Sequence, residues 1–168
     1  MKVETERLII DDLKPEDKEN YFLNISHDKR VLKTFICNYQ EDLESFEFNK
    51  YLNRNDIFAI REKKDNNLIG IFVECEVDNT NHSLEIGYGI GSNYWNKGYM
   101  SEAVKAMIDY YFKHTSFKTV YASFFKENIA SKKIMEKCGM AYSHTNEKEL
   151  VYLSEEKDLI YYKICKDD

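Results

Sequence analysis

Proline occurs once, at Pro15, and glycine only six times. That scarcity excludes a collagen-like, polyproline or Gly-rich linker chain, and no internal repeat or low-complexity stretch interrupts the sequence. The four cysteines, Cys37, Cys75, Cys138 and Cys165, are scattered and form no CxxC pair. The four histidines give no HExxH, so no metal site is expected. The cysteines read as reduced thiols in a cytoplasmic protein. No apolar run reaches the length of a membrane span, so no membrane partner is expected. The opening MKVETERLII has no long apolar core of the signal-peptide kind. Basic residues number 24 against 30 acidic ones, for a net charge of −6. Nucleic acid needs clustered Lys and Arg, so none is expected as partner. Solubility alone, or a neutral or cationic substrate, accounts for the balance.

What is plentiful is aromatic: 13 Tyr and 10 Phe in 168 residues. They suit a packed core and a lined cleft. The length fits one domain, 1–168, whose core needs no disulfide or metal staple. Period and turn chemistry divide the chain. Residues 6–11 read as a strand, 14–28 as a helix with Pro15 near its start, and 40–54 as a second helix. Residues 56–62, 68–77 and 82–90 form an antiparallel meander joined by Asp- and Asn-rich turns. Met100, Ala103, Val104, Met107, Ile108 and Tyr111 then mark an amphipathic helix over 98–114. A strand (118–125), a helix capped by Asn128 and closed by Gly139, and two further strands (140–149, 157–165) complete the chain. The order is β-α-α-β-β-β-α-β-α-β-β. It predicts an α/β fold with a central mixed sheet flanked by helices on both faces.

The stretch NYWNKGYMSEA, residues 93–103, puts a polar turn just ahead of the amphipathic helix. The first amides of a helix have no acceptor inside it and carry partial positive charge. Donors from Asn96 to Ser101, with Gly98 bare of Cβ and Lys97 adding charge, suit an anion. A plain loop-to-helix junction is the other reading. The preceding strand carries Gly87 and Gly89, which mark a bulge or a close approach. A second polar helix start follows at 126–131. Two such helix starts after neighbouring parallel strands make a ligand crevice.

These residues resemble the GNAT family of N-acetyltransferases, and within it the RimJ/RimL-like branch. Trp95, Asn96, Lys97, Gly98, Tyr99, Met100, Ser101, Glu102 and Ala103 stand where that branch reads Trp-Gly-Lys-Gly-Tyr-Ala and then Thr/Ser-Glu-Ala. Asn128, Ser131, Gly139 and Met140 match a second motif, and ETERL, EIGYGI and DLIYY resemble others. Two departures are Asn96 in place of Gly and Met100 in place of Gly or Ala. Asn tolerates a left-handed backbone, and Met100 is expected to point into the core.

The resemblance implies acetyl-CoA as donor and an amine as acceptor, a protein N-terminus or a small molecule. The pyrophosphate would rest on amides from Trp95 to Ser101. The peptide-like pantetheine arm would pair with the strand edge from Tyr88 to Ile90. Asn128 would hold the arm as well as capping its helix. A carboxylate must deprotonate the amine, and Glu85 is the candidate. By alternation it shares a face with Ser83, Gly87 and Gly89. A solvent-facing or Lys-paired Glu is the alternative. Many family members protonate the CoA thiolate from a Tyr seven residues after the Asn, where this chain has Met135. Ser131 is the nearest hydroxyl by sequence; water, Tyr142 or Tyr152 are alternatives, and Cys138 reads as core. Phe35 and Tyr39 could wall an acceptor pocket, and Glu41, Asp42 and Glu44 could attract a cation or form a solvated face. A monomer or homodimer is expected. The competing class is a non-catalytic CoA-binding or protein-interaction module.

Overall fold

The computed structural model describes residues 1–167. Eight strands form one mixed sheet in the order β1-β2-β3-β4-β5-β6-β8-β7. They are β1 (Lys2–Glu4), β2 (Leu8–Asp12), β3 (Ile57–Glu62), β4 (Leu68–Asp78), β5 (Ser83–Ile90), β6 (Thr119–Phe125), β7 (Ala141–Tyr152) and β8 (Glu155–Cys165). Helices α1 (Lys18–Tyr21), α2 (Lys29–Leu32), α3 (Asn49–Leu52), α4 (Tyr99–His114) and α5 (Ile129–Lys137) join them. The mixed sheet flanked by helices is the expected class, with β1 as a strand the sequence reading did not contain. No helix among the described residues is long and apolar enough to cross a membrane. The chain's contacts gather into two compact units: Met1–Val73 with Tyr88–Ala106, and Glu74–Gly87 with the chain from Met107 onward.

In the first unit β1, β2, β3 and the start of β4 are antiparallel neighbours. Every residue of β3 is buried, so DIFAIRE lacks a solvent face. Arg61, 1% exposed, sits in that strand. Asp11 and Asp17 neutralise it, with Nε and Nη2 each 2.6 Å from a carboxylate oxygen. A buried guanidinium without those partners would be strongly destabilising. The expected helix at 14–28 forms as a 3-10 turn (Pro15–Asp17), α1 and a π turn (Phe22–Ser26), ended by Asp28 capping α2.

The expected helix at 40–54 does not form; only α3, a single turn, is helical there. Phe46 and Phe48, two residues apart, are both buried with Tyr21 and Phe22 in one aromatic cluster. A helix would place them about 200° apart, so burying both rings defeats helical spacing. Asp42 accepts from Ser45 N at 2.8 Å and closes a turn instead.

In the second unit β5 and β6 pair in parallel from Ser83↔Thr119 to Ile86↔Ala122. Helix α4 makes the crossover that a parallel pair requires. Strand β8 lies antiparallel between β6 and β7. Asn128 caps α5, its side chain accepting from Ser131 N at 3.1 Å. Gly139, at φ +83°, ends that helix in the left-handed conformation.

Candidate active site

The turn before α4 has the backbone of an anion cradle. Asn96 and Gly98 both have positive φ, 60° and 78°. Left-handed residues alternating with right-handed ones turn successive amides toward one point. Gly98 O already accepts from Glu102 N at 3.1 Å. The amides of Gly98, Tyr99 and Met100 therefore precede the first bond of the helix ladder. Trp95, Asn96, Lys97 and Gly98 are exposed, and the Arg7 guanidinium lies 3.4 Å from where a Gly98 Cβ would stand. Met100 is buried at 5% exposure, leaving its backbone as its contribution. The Lys97 ammonium lies 5.3 Å from the centre of the Tyr94 ring.

Side chains hold this turn from both flanks. Trp95 Nε1 donates to Ile90 O at 3.0 Å, tying the turn to the end of β5. The Arg7 guanidinium donates from Nη1 to Lys97 O at 2.9 Å and from Nε to Glu102 Oε2 at 2.7 Å. It also stacks on Tyr99, 4.4 Å from the ring centre. Glu102 Oε1 accepts from Arg7 N at 2.9 Å and from Thr5 Oγ1. Burial pushes the Glu102 carboxyl up, but these donors hold it below its ordinary range. The Tyr99 hydroxyl donates to Glu62. Ser101 stands in the first turn of α4. The sequence reading missed Thr5, Arg7 and Glu102 as holders of the turn, although ETERL and SEA were both quoted as motifs.

Glu85 is half-buried on β5. Burial raises its carboxyl above the ordinary range, opposed by a hydrogen bond from Ser123 and reinforced by the charges of Glu76 and Glu149. Ser123 Oγ donates to Glu85 Oε1 at 3.0 Å. The partner that the sequence left open is therefore a serine, not a lysine. Ser123 and Tyr161 are register partners on β6 and β8, and Tyr161 faces His144 on β7. The His144 and Tyr161 rings stack at 4.5 Å and 5°. Burial and nearby glutamates push the Tyr161 hydroxyl up to about 12.

The remaining candidates are distributed as follows. Asn128 and Ser131 share the start of α5, with Ser131 buried and its amide held by the cap. Met135 is fully buried and Cys138 is 8% exposed, both core residues. Tyr152 stacks on Phe125 at 5.6 Å. Tyr142 is 59% exposed. Tyr88 is half-buried and Ile90 buried near the end of β5. The bare face of Gly89 is filled by a side chain: its Cβ position is 3.0 Å from the Phe35 ring. Tyr39 stacks on His27 at 5.4 Å. Glu41, Asp42 and Glu44 are exposed, a solvated face.

Residues 7–141 match the model of the family described as the acetyltransferase (GNAT) domain. YnaD of Bacillus subtilis (strain 168), an uncharacterized N-acetyltransferase, is 29% identical over 170 residues, covering 100% of this chain and 99% of its own. A solved GNAT-family acetyltransferase of Bacillus anthracis gives a TM-score of 0.86 at 30% identity, with 98% of each chain covered. The spermidine N-acetyltransferase of Vibrio cholerae, solved with CoA and spermine, gives 0.80 at 19% identity, with 96% of each chain covered. That last likeness is one of fold alone.

Proposed function

The chain belongs to the GNAT acetyltransferase family, and from that premise we propose that it transfers an acetyl group from acetyl-CoA to a primary amine. The acceptor is a protein N-terminal amine or a small-molecule amine, and the resemblance in ETERL and NYWNKGYMSEA favours the RimJ/RimL-like branch. The observation that carries the reading is the exposed turn with Asn96 and Gly98 in the left-handed conformation at the head of α4. Such a turn offers converging amides to a pyrophosphate. Acetyl-CoA supplies the activated acyl group. The amides from Trp95 to Ser101 bind its diphosphate, Lys97 adds charge, and Tyr88 to Ile90 and Asn128 hold its arm. One domain, 1–168, carries both substrates.

Glu85 acts as general base. An ammonium acceptor gives its proton to the Glu85 carboxylate, and the neutral amine attacks the thioester carbonyl directly. The C–S bond breaks as the C–N bond forms. The departing thiolate takes up a proton, from Ser131 with solvent replacing it, and the amide nitrogen loses its second proton to water. A carboxylate whose pKa is raised is a stronger base than an ordinary one.

Two measurements test this. Acetyl-CoA well above its dissociation constant stabilises the fold by about 2.7 kcal/mol at a hundredfold excess; an unshifted melting curve at millimolar ligand overturns the donor assignment. Thiol release is then followed over a panel of free-N-terminal peptides, spermine and aminoglycosides. Glu85→Gln lowers turnover about 100-fold, and wild-type turnover falls as pH drops through the raised Glu85 pKa. A Glu85→Gln protein with wild-type turnover at every pH removes Glu85 as base.

A further inference from the structure

The Glu85 carboxylate belongs to a row of side chains crossing four strands of the sheet. Glu85 stands opposite Tyr121 in the parallel register, and Ser123 is two residues further along β6, on the same face. Ser123 Oγ reaches back to Glu85 Oε1 at 3.0 Å. Directly across the next ladder is Tyr161. The row ends on β7 at a bulge. Tyr142 pairs with Tyr162, but the next pair is His144 with Tyr161, so Ser143 is the extra residue. In an unbroken register Ser143 would stand opposite Tyr161. The bulge puts His144 there, and its ring lies flat on the tyrosine.

A serine hydroxyl has one proton to give and two lone pairs to receive with. Here the serine proton goes to Glu85 Oε1. That fixes the rotor of an otherwise free hydroxyl. It also fills one carboxylate oxygen and leaves Oε2 to receive a proton. We propose that Ser123 is a positioning residue that holds Glu85 as the base of the acyl transfer. The proposal rests on the reading of Glu85 as base. Ser123 does not touch substrate in this role. Ser123 acts by making the carboxylate more readily ionised than its burial allows, so that it is free to accept the amine proton. The other charged groups that act on the row are Glu76 on β4, Glu149 and His144 on β7, and Lys163, whose ammonium lies 6.0 Å from the Tyr121 ring on β6. The glutamates oppose ionisation of Glu85, and His144 favours it.

The test reads Glu85 directly and needs no acceptor. Protein carrying 13C at the glutamate side-chain carboxyls is titrated by NMR, with the Glu85 signal assigned by its loss in Glu85→Gln. In Ser123→Ala the Glu85 midpoint moves to higher pH than in wild type. In Ser123→Thr, which keeps the hydroxyl, it returns toward wild type. Melting curves identify any variant that fails to fold, and Ser123→Thr supplies the comparison if Ser123→Ala does. In turnover, with acetyl-CoA and spermine or a free-N-terminal peptide, the acid limb of kcat moves with the NMR midpoint, and Ser123→Ala loses about tenfold at a pH near the limb. A folded Ser123→Ala protein whose Glu85 midpoint is unmoved overturns the proposal while leaving Glu85 as base. An active Glu85→Gln protein instead removes the base, and Ser123's catalytic role with it.

Discussion

Arg7 joins two stretches that are 95 positions apart in the chain through its bond to Glu102. Its planar fork reaches the carboxylate and the Lys97 carbonyl together, and its face covers Tyr99. A lysine offers one point charge and no such fork. In the proposed site the amides of the turn serve a diphosphate only if they converge beforehand, and Arg7 with Glu102 braces that turn. Arg7→Ala is therefore expected to raise the KM for acetyl-CoA about tenfold, near 1.4 kcal/mol, with kcat within about twofold. Arg7→Lys should recover little of the loss. Steady-state kinetics with acetyl-CoA varied checks this; a KM unchanged in Arg7→Ala would make the clamp a matter of folding alone. ETERL was legible as part of a family pattern, but its physical task was not. No local period connects Arg7 with Glu102, and only the folded chain brings them within reach. The same holds for Glu85. Alternation gave its face, while its partner Ser123, 38 positions later, depends on the β5–β6 register.

Elements were legible where one face of a regular period is buried. The α4 stripe of Met100, Ala103, Val104, Met107, Ile108 and Tyr111 is buried as its spacing predicts. The cap and stop of α5 are also where Asn128 and Gly139 place them. The segment 40–54 misled because its aromatics serve a cluster instead of a helix face. Phe46 packs on Tyr21, Phe22, Phe48 and Tyr51 at ring separations of 5.6–6.1 Å. The β7–β8 hairpin shows a different kind of override. Its two loop residues, Leu153 and Ser154, have φ of 51° and 64°, although neither is Gly, Asn or Asp. A two-residue loop with both centres left-handed is the type I′ turn that favours Asn-Gly. Leu153 is 58% exposed, so its side chain contributes little packing in exchange. An L-residue in that region costs roughly 1–2 kcal/mol. The double variant Leu153→Asn, Ser154→Gly is expected to raise stability by about 1 kcal/mol. Urea unfolding should show a higher midpoint with an unchanged slope. A midpoint at or below wild type would mean that Leu153 contributes packing that offsets the strain.

For the molecule as a whole, pH acts on two sets of carboxyls with opposite sign. Asp11, Asp28 and Glu102 are pushed up by burial, but donors from Lys14 and Arg61, from Ser92 and Arg30, and from Thr5 and Arg7 bring each below its ordinary range. Their contribution to stability is complete above the unfolded carboxyl pKa, about 4, and is lost as pH falls through the folded values. Glu85 runs the other way. Burial raises its folded pKa, so the folded state binds its proton more tightly than the unfolded chain does. Its ionised form then opposes folding, and that penalty is complete above the folded pKa and disappears below the unfolded one. Glu85→Gln removes the charge and keeps an oxygen to accept from Ser123. Above the Glu85 pKa the variant should therefore turn over about 100-fold more slowly yet be more stable than wild type, as expected where function keeps a destabilising group. As pH falls through the Glu85 pKa, wild type gains its proton and the two melting temperatures converge. Below about pH 4 both fall together as the paired carboxyls protonate. Melting curves of the two proteins across pH read all of this at once. A Glu85→Gln protein less stable than wild type above the Glu85 pKa would mean that the ionised carboxylate strengthens the fold, and the base would then need another source of its basicity.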